Sequence, residues 1–142
     1  MRRELESAFR RTRYRVHVPQ GALLLHVDVV EPGLASLLRA SHVHQAALLT
    51  AFNPGGRRHP PFRNRQAQRA LRAELLQSGH EVLEGRNEDP RGLWPAEPAL
   101  LALGLSLPCA QRIALRYGQV AFLWLDATGT PRLVEAAAAA AD

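Results

Sequence analysis

Apolar positions along this chain change period several times, and each change marks an element. Leu5, Ala8 and Phe9 recur at the i, i+3, i+4 spacing of a short amphipathic helix from Arg3 to Arg11. From Ala22 to Val30 the pattern alternates, with Leu23, Leu25 and Val27 on one face, and predicts a strand. Glu31-Pro32 then opens a helix with proline in its first turn and a stripe of Leu34, Leu37 and Leu38. A second strand is predicted over Val43 to Phe52, broken by Asn53-Pro54-Gly55-Gly56.

The longest helix is predicted to start at Asn64 as its N-cap, run to about Ser78 and stop at Gly79. Ala67, Leu71 and Leu75 give it a sheet-facing side, and Arg65, Arg69 and Arg72 fall together on an adjacent face. A third strand over Glu81 to Gly85 precedes a loop rich in charge and turn residues, Arg86 to Pro98. Ala99 to Leu105 is almost wholly apolar, which predicts a strand covered on both faces in the interior of a sheet. Ser106 caps a further helix, with Pro108 in its first turn, Ala110, Ile113, Ala114 and Tyr117 inward, and Gly118 at its end. Val120 to Leu125 and Arg132 to Val134 flank Asp126-Ala127-Thr128-Gly129 as a β-hairpin, and Pro131 assigns the last strand to a sheet edge.

Strands separated by helices and followed by a hairpin define the class as α/β or α+β. The expectation is a single mixed β-sheet with about three to four packed helices and a C-terminal β-hairpin. Residues 1–135 form one globular domain on this reading, and residues 136–142 an Ala-rich tail. There is no internal repeat.

Composition narrows the chemistry. A chain of 142 residues builds a core without covalent staples. Cys109 is the only cysteine, so an intrachain disulfide and a thiolate-rich zinc site are excluded. No apolar run approaches the roughly 20 residues of a spanning helix, and Met1-Arg2-Arg3-Glu4-Leu5 leads into no apolar stretch of a secretory signal. A cytoplasmic location without a membrane partner is therefore expected. All the basic residues are arginine, so Schiff-base chemistry, a lysine base and a Walker-type phosphate loop are absent. The net charge of +5 suits an anionic partner, nucleic acid included, and equally a solvated surface.

Candidate site residues gather at predicted element ends. Asn53 closes a strand, where its amide offers donors and an acceptor to a ligand, although Asn-Pro-Gly-Gly is also plain turn chemistry. Glu97 beside Trp94 is the carboxylate best placed as a general base, or else the partner of one of many arginines. Arg57, Arg58, Arg63, Arg65, Arg69 and Arg72, with Phe62 among them, form either an anion-binding set or a solvated face. Glu81, Glu84, Glu88, Asp89 and Glu97 match no metal-loop spacing, and His42 with His44 has no third ligand at a telling distance. Neither a metal nor a cofactor is expected.

Thr50-Ala51-Phe52-Asn53-Pro54, then Asn64, Leu71, Leu75 and Gly79, form the first part of a longer pattern. It continues through Gly85, Asp89-Pro90, Trp94-Pro95-Ala96-Glu97, Leu101 to Gly104, Ala110 and Tyr117-Gly118-Gln119. From Tyr14 to Val134 the chain resembles a bacterial family catalogued as a domain of unknown function, the domain-of-unknown-function 3293 family. The resemblance implies a small bacterial protein of the same fold and brings no established activity with it. Ala99 stands where the family pattern places serine, and Val120 where asparagine follows the glutamine. Those departures weigh against an enzyme and leave binding intact.

Three readings follow. The preferred one is a binding module for a small anionic or polar ligand, with a strand-end pocket of Thr50, Asn53, Asn64, Trp94, Glu97 and Gln119. The second is a nucleic-acid-binding protein that uses the arginine set. The third is a small hydrolase or transferase with Glu97 as general base.

Overall fold

The computed structural model describes residues 1–137. Four helices and seven strands follow in the order α1 (Arg3–Arg11), β1 (Arg13–Val18), β2 (Gly21–Leu25), α2 (Pro32–Ala40) and β3 (Gln45–Leu49). Next come a single 3₁₀ turn (Pro54–Gly56), α3 (Pro61–Gln77), β4 (Glu81–Glu88), β5 (Glu97–Leu103), α4 (Leu107–Arg116), β6 (Ala121–Asp126) and β7 (Pro131–Glu135). The strands form one sheet in the order β2-β1-β4-β5-β3-β6-β7, and every pairing is antiparallel. The class is α+β.

β5 occupies the middle of that order, and its apolar sequence reflects burial on both faces. Leu101 and Leu103 point to one layer, Leu100 and Ala102 to the other, all nearly inaccessible. On the first face α2 contributes Leu34 and Leu38, and Phe9 of α1 packs at the margin with Val16, Leu48 and Leu123. On the second, Leu71 and Leu75 of α3 and Ala110, Ile113 and Ala114 of α4 cover Ala47, Leu49 and Phe122. Because side chains alternate along a strand, one set of strands thus supplies both cores.

The central connectivity sets the site. β3 and β4 run in the same direction with β5 between them, and β5 and β6 do so with β3 between them. Two split β-α-β units therefore interlock, β3-α3-β4 with β5-α4-β6, and both their helices lie on the same face. The β1–β2 hairpin extends this unit on one side and β7 closes the other, where Pro131 lies on an edge strand.

Several predicted boundaries move. The basic stretch after α1 is a strand, β1, in which Tyr14 and Val16 are buried while Arg13, Arg15 and His17 face the other way. β2 ends at Leu25, short of Val30, and β3 spans Gln45–Leu49 within the predicted Val43 to Phe52. β4 continues past Gly85 to Glu88 and β5 begins at Glu97, so the predicted loop shrinks from both ends. α3 begins at Pro61, three residues before Asn64, because consecutive prolines fix the entry; Asn64 is buried within the first turns and caps nothing. Ala136 is buried and its N–H donates to the Val120 carbonyl at 2.9 Å, so the packed chain reaches past residue 135. The remainder of the predicted tail, 138–142, lies outside the described residues.

The α4 start matches its sequence signal. Ser106 accepts a hydrogen bond from the Cys109 N–H at 3.3 Å, with proline in the first turn. Ser106→Ala is expected to cost about 1 kcal/mol in urea denaturation, the usual worth of an N-cap. A loss below about 0.3 kcal/mol would show that α4 is held by its packing alone.

Candidate functional site

The chain between β3 and α3 is built as a clamp. Asn53 adopts a left-handed backbone, φ 49°, and spends its side chain on three partners. Its Oδ1 accepts from the His59 N–H at 2.9 Å and from Asn64 Nδ2 at 2.8 Å, while its Nδ2 donates to Glu97 Oε2 at 2.7 Å. The Asn53 N–H in turn donates to Asn64 Oδ1 at 2.9 Å. Two asparagines eleven residues apart thereby tie a turn of two glycines and several prolines to the first turns of α3. Pro54 also lies on the Gly118 turn: a Cβ built on Gly118 would meet Pro54 Cβ at 2.7 Å, and Gly55 N donates to the Gly118 carbonyl at 2.8 Å. Gly118 (φ 69°) is required there both by its backbone and by this approach.

Neighbouring groups complete the joint. Gln68, one turn beyond Asn64 on α3, accepts from the Ala51 N–H at 2.7 Å and donates to the Pro98 carbonyl at 3.2 Å. Thr50 Oγ1 donates to the same carbonyl at 2.9 Å. Gln119 Nε2 donates to the Phe52 carbonyl at 3.0 Å. Most amide capacity at Asn53, Asn64 and Gln119 therefore holds backbone in place.

What this joint frames is a cavity of about 380 Å³. Thr50, Phe52, Asn53, Trp94, Glu97 and Gln119 line it from the strand ends. Leu5, Ala8 and Phe9 of α1 and Tyr14 of β1 line it from the opposite side. The structure thus brings together five of the six proposed pocket residues around one concavity. Asn64 lies behind the wall and acts on the cavity through Asn53.

Glu97 brings a carboxylate to the cavity lining. Its Oε2 accepts from Asn53 Nδ2 and from the Trp94 indole N–H, each at 2.7 Å, and its Oε1 has no hydrogen-bond partner among the described residues. Trp94 therefore meets the carboxylate with its N–H edge. Directly across the β4–β5 ladder from Glu97 stands Asn87, which also lines the cavity and whose buried Oδ1 has no partner among the described residues. Two residues facing each other across the ladder thus each bring an acceptor to the cavity lining. Burial pushes the pKa of the Tyr14 phenol up, with a smaller push from the Glu97 charge, so the phenol stays protonated and donates to the Phe9 carbonyl at 2.8 Å. That bond fixes α1 against the sheet.

The loop carrying Trp94 is pinned by Asp89, whose carboxylate accepts from the N–H groups of Arg91, Leu93 and Trp94 at 3.0 to 3.1 Å. The Arg91 N–H leads in holding the Asp89 carboxyl below the usual carboxylate range. A folded pKa below the unfolded one means that the clamp acts fully at neutral pH and is lost as pH falls through the lowered value.

The six candidate arginines do not share one place. Arg58 stacks over the Trp94 ring at 5.0 Å, and Arg63 over Phe62 at 5.9 Å. Arg65, Arg69 and Arg72 line a second, shallower concavity, while Arg57 is exposed on the turn after the 3₁₀ segment. Nor do the two histidines share a strand face: His42, φ 57°, lies in the turn before β3. No three His, Cys, Asp or Glu side chains come together as a metal-binding group among the described residues. Among the same residues, no helix is long and apolar enough to cross a membrane.

Asn87 and Gln68 escaped the sequence reading, although each carried a signal. Asn87 follows Val82, Leu83 and Gly85 in a continuing strand, and Gln68 falls four residues after Asn64 on one helix face. The α1 wall carried none beyond its amphipathic stripe.

The class is thus a four-helix, seven-stranded α+β protein whose interlocked split units open into a lined cavity. The family model described as Protein of unknown function (DUF3293) matches residues 49–122, just over half of the chain, and the protein belongs to that family. No curated protein and no solved structure matches it.

Proposed function

We propose that this protein is a binding module for a small molecule with an apolar body and a hydrogen-bond-donating, cationic head. The observation that carries the proposal is Glu97 in a cavity of about 380 Å³, its Oε1 without a partner among the described residues, with the buried Oδ1 of the facing Asn87 likewise without one among them. That volume falls in the range of small-molecule sites, which combine apolar walls with a few fixed polar groups. Leu5, Phe9, Phe52 and Trp94 supply the walls. A buried acceptor without a donor carries a desolvation cost that a ligand N–H removes. Arg2, Arg11 and Arg91 line the cavity together with Glu4, Asp89 and Glu97, so the choice of an amine over an anion rests on Glu97 Oε1, which has no partner among the described residues. The hydrolase reading has less support: Glu97 Oε2 is held by two donors, and the Thr50 hydroxyl and the Asp89 carboxylate that share the cavity are spent on backbone partners.

The test uses Trp94 as its reporter in a Trp124→Phe background, since Trp124 packs with the layer of α3 and α4. Phenethylamine is expected to change Trp94 emission saturably, and phenylacetate is not. Glu97→Gln keeps an oxygen for Asn53 and Trp94 but loses the charge. It should weaken the amine roughly tenfold or more, the worth of a charge-assisted hydrogen bond. Equal responses to amine and carboxylate, or an amine affinity unmoved by Glu97→Gln, would overturn the proposal.

A further inference from the structure

The sheet is wider than its α3–α4 layer. Those helices cover β4, β5, β3 and β6, whereas on the same face β1 presents Arg13, Arg15 and His17 uncovered. A groove of about 390 Å³ runs between α3 and this open wing. Arg65, Arg69 and Arg72 line its helical wall, and Arg86 and His17 line its sheet wall. Arg15 stands directly opposite Arg86 in the β1–β4 ladder. Like charges facing each other across a ladder are destabilising; Glu88 offsets part of this at Arg15, and an anion would relieve the rest at Arg86.

Two carboxylates enter the balance. Glu84 lies 4.0 Å from Arg72, and Glu88 lies 3.4 Å from Arg15. Four guanidiniums of the lining against Glu84, with the Arg15–Glu88 pair beside them, leave the groove with much of the net charge of the chain, arranged on two facing walls. From this geometry we infer that the groove between α3 and the β1–β4 wing binds the phosphate backbone of single-stranded nucleic acid. Guanidinium forks match phosphate oxygens bidentately, and a positive groove that tracks one backbone is the general means of holding a single strand. The lining of this groove sets Phe52, Pro98 and Leu100 beside the arginines, and apolar and aromatic surface next to guanidiniums suits the exposed bases of a single strand. The site is separate from the Glu97 cavity, and neither proposal depends on the other.

The experiment measures anisotropy of a fluorescein-labelled single-stranded oligothymidylate from 50 to 200 mM salt. The variant Arg65→Gln/Arg69→Gln/Arg72→Gln removes the helical wall, and Arg15→Gln/Arg86→Gln the sheet wall. Arg39→Gln/Arg112→Gln, on exposed faces of α2 and α4, makes the same charge change as the sheet-wall pair elsewhere. Each wall variant is expected to weaken binding roughly tenfold or more at the lowest salt. The slope of log affinity against log salt should shrink by about 0.7 for each lost phosphate contact. The control pair should leave the slope unchanged. The inference is overturned by absence of binding at 50 mM salt, or by a control as damaging as the sheet-wall pair. Competition by duplex DNA or polyglutamate as effective as that of the unlabelled strand would overturn it too.

Discussion

Asn53→Ala should lower the unfolding free energy by about 3 kcal/mol, because buried polar partners left unpaired cost about 1–3 kcal/mol each. The substitution removes the acceptor for the His59 N–H and for the amide of Asn64, which is only 5% exposed, and it takes a donor from Glu97. Alanine must also hold the left-handed backbone that Asn53 tolerates, at about 1 kcal/mol. Asn53→Gly escapes that last cost and should recover about 1 kcal/mol of the loss. Urea denaturation measures both, and Trp94 emission reports whether the indole keeps its place against Glu97. A loss under 1 kcal/mol with unchanged emission would mean that the loop is held by Gln68 and the Gly118 contact without the asparagine pair.

Gly85→Ala tests the seam on which both concavities depend. A Cβ at Gly85 would lie 2.3 Å from the Arg15 carbonyl oxygen, and 3.4 and 3.5 Å from further β1 backbone atoms. No side-chain rotation relieves that clash, so β1 must shift along the stretch where Val16 pairs with Gly85. Forced overpacking of this kind costs about 3 kcal/mol, well beyond the few tenths gained from a stiffer unfolded chain. Amide exchange of β1 and β2 should accelerate more than that of β3, β5 and β6. Stability within about 0.5 kcal/mol of the parent would show that the strand accommodates the methyl group.

The sequence made the centre of the molecule plain and its flanks obscure. β5 was legible because a strand covered on both sides must be apolar at every position, as Ala99 to Leu103 are. α2 and α4 were legible because Glu31 and Ser106 carry their caps in the local sequence. β1 was hidden although Arg13-Tyr14-Arg15-Val16-His17-Val18 alternates without a fault. Its outward positions are arginine and histidine, which read as a basic stretch when nothing says that a sheet lies beneath. Asn64 was drawn into the site by its residue type but misplaced as a cap, since Pro60-Pro61 sets where the helix begins. The strand-end members of the cavity could be listed from element ends. Its far wall could not: where α1 docks is decided by Tyr14 and Phe9 meeting across the first core, a contact no local pattern encodes.

The cavity is assembled from two sources with different attachments. Thr50, Asn53, Glu97 and Gln119 fall within the segment that the family model matches, and Leu5, Phe9 and Tyr14 precede it. The α1–β1–β2 portion joins the sheet through the β1–β4 ladder, four residue pairs long. A ligand touching both walls would therefore act as a mortar between them, and its binding energy would appear as added resistance of the β1–β2 hairpin to local opening. The same division lets the interior of the matched segment stay fixed while substitutions in α1 alone reshape what the cavity admits.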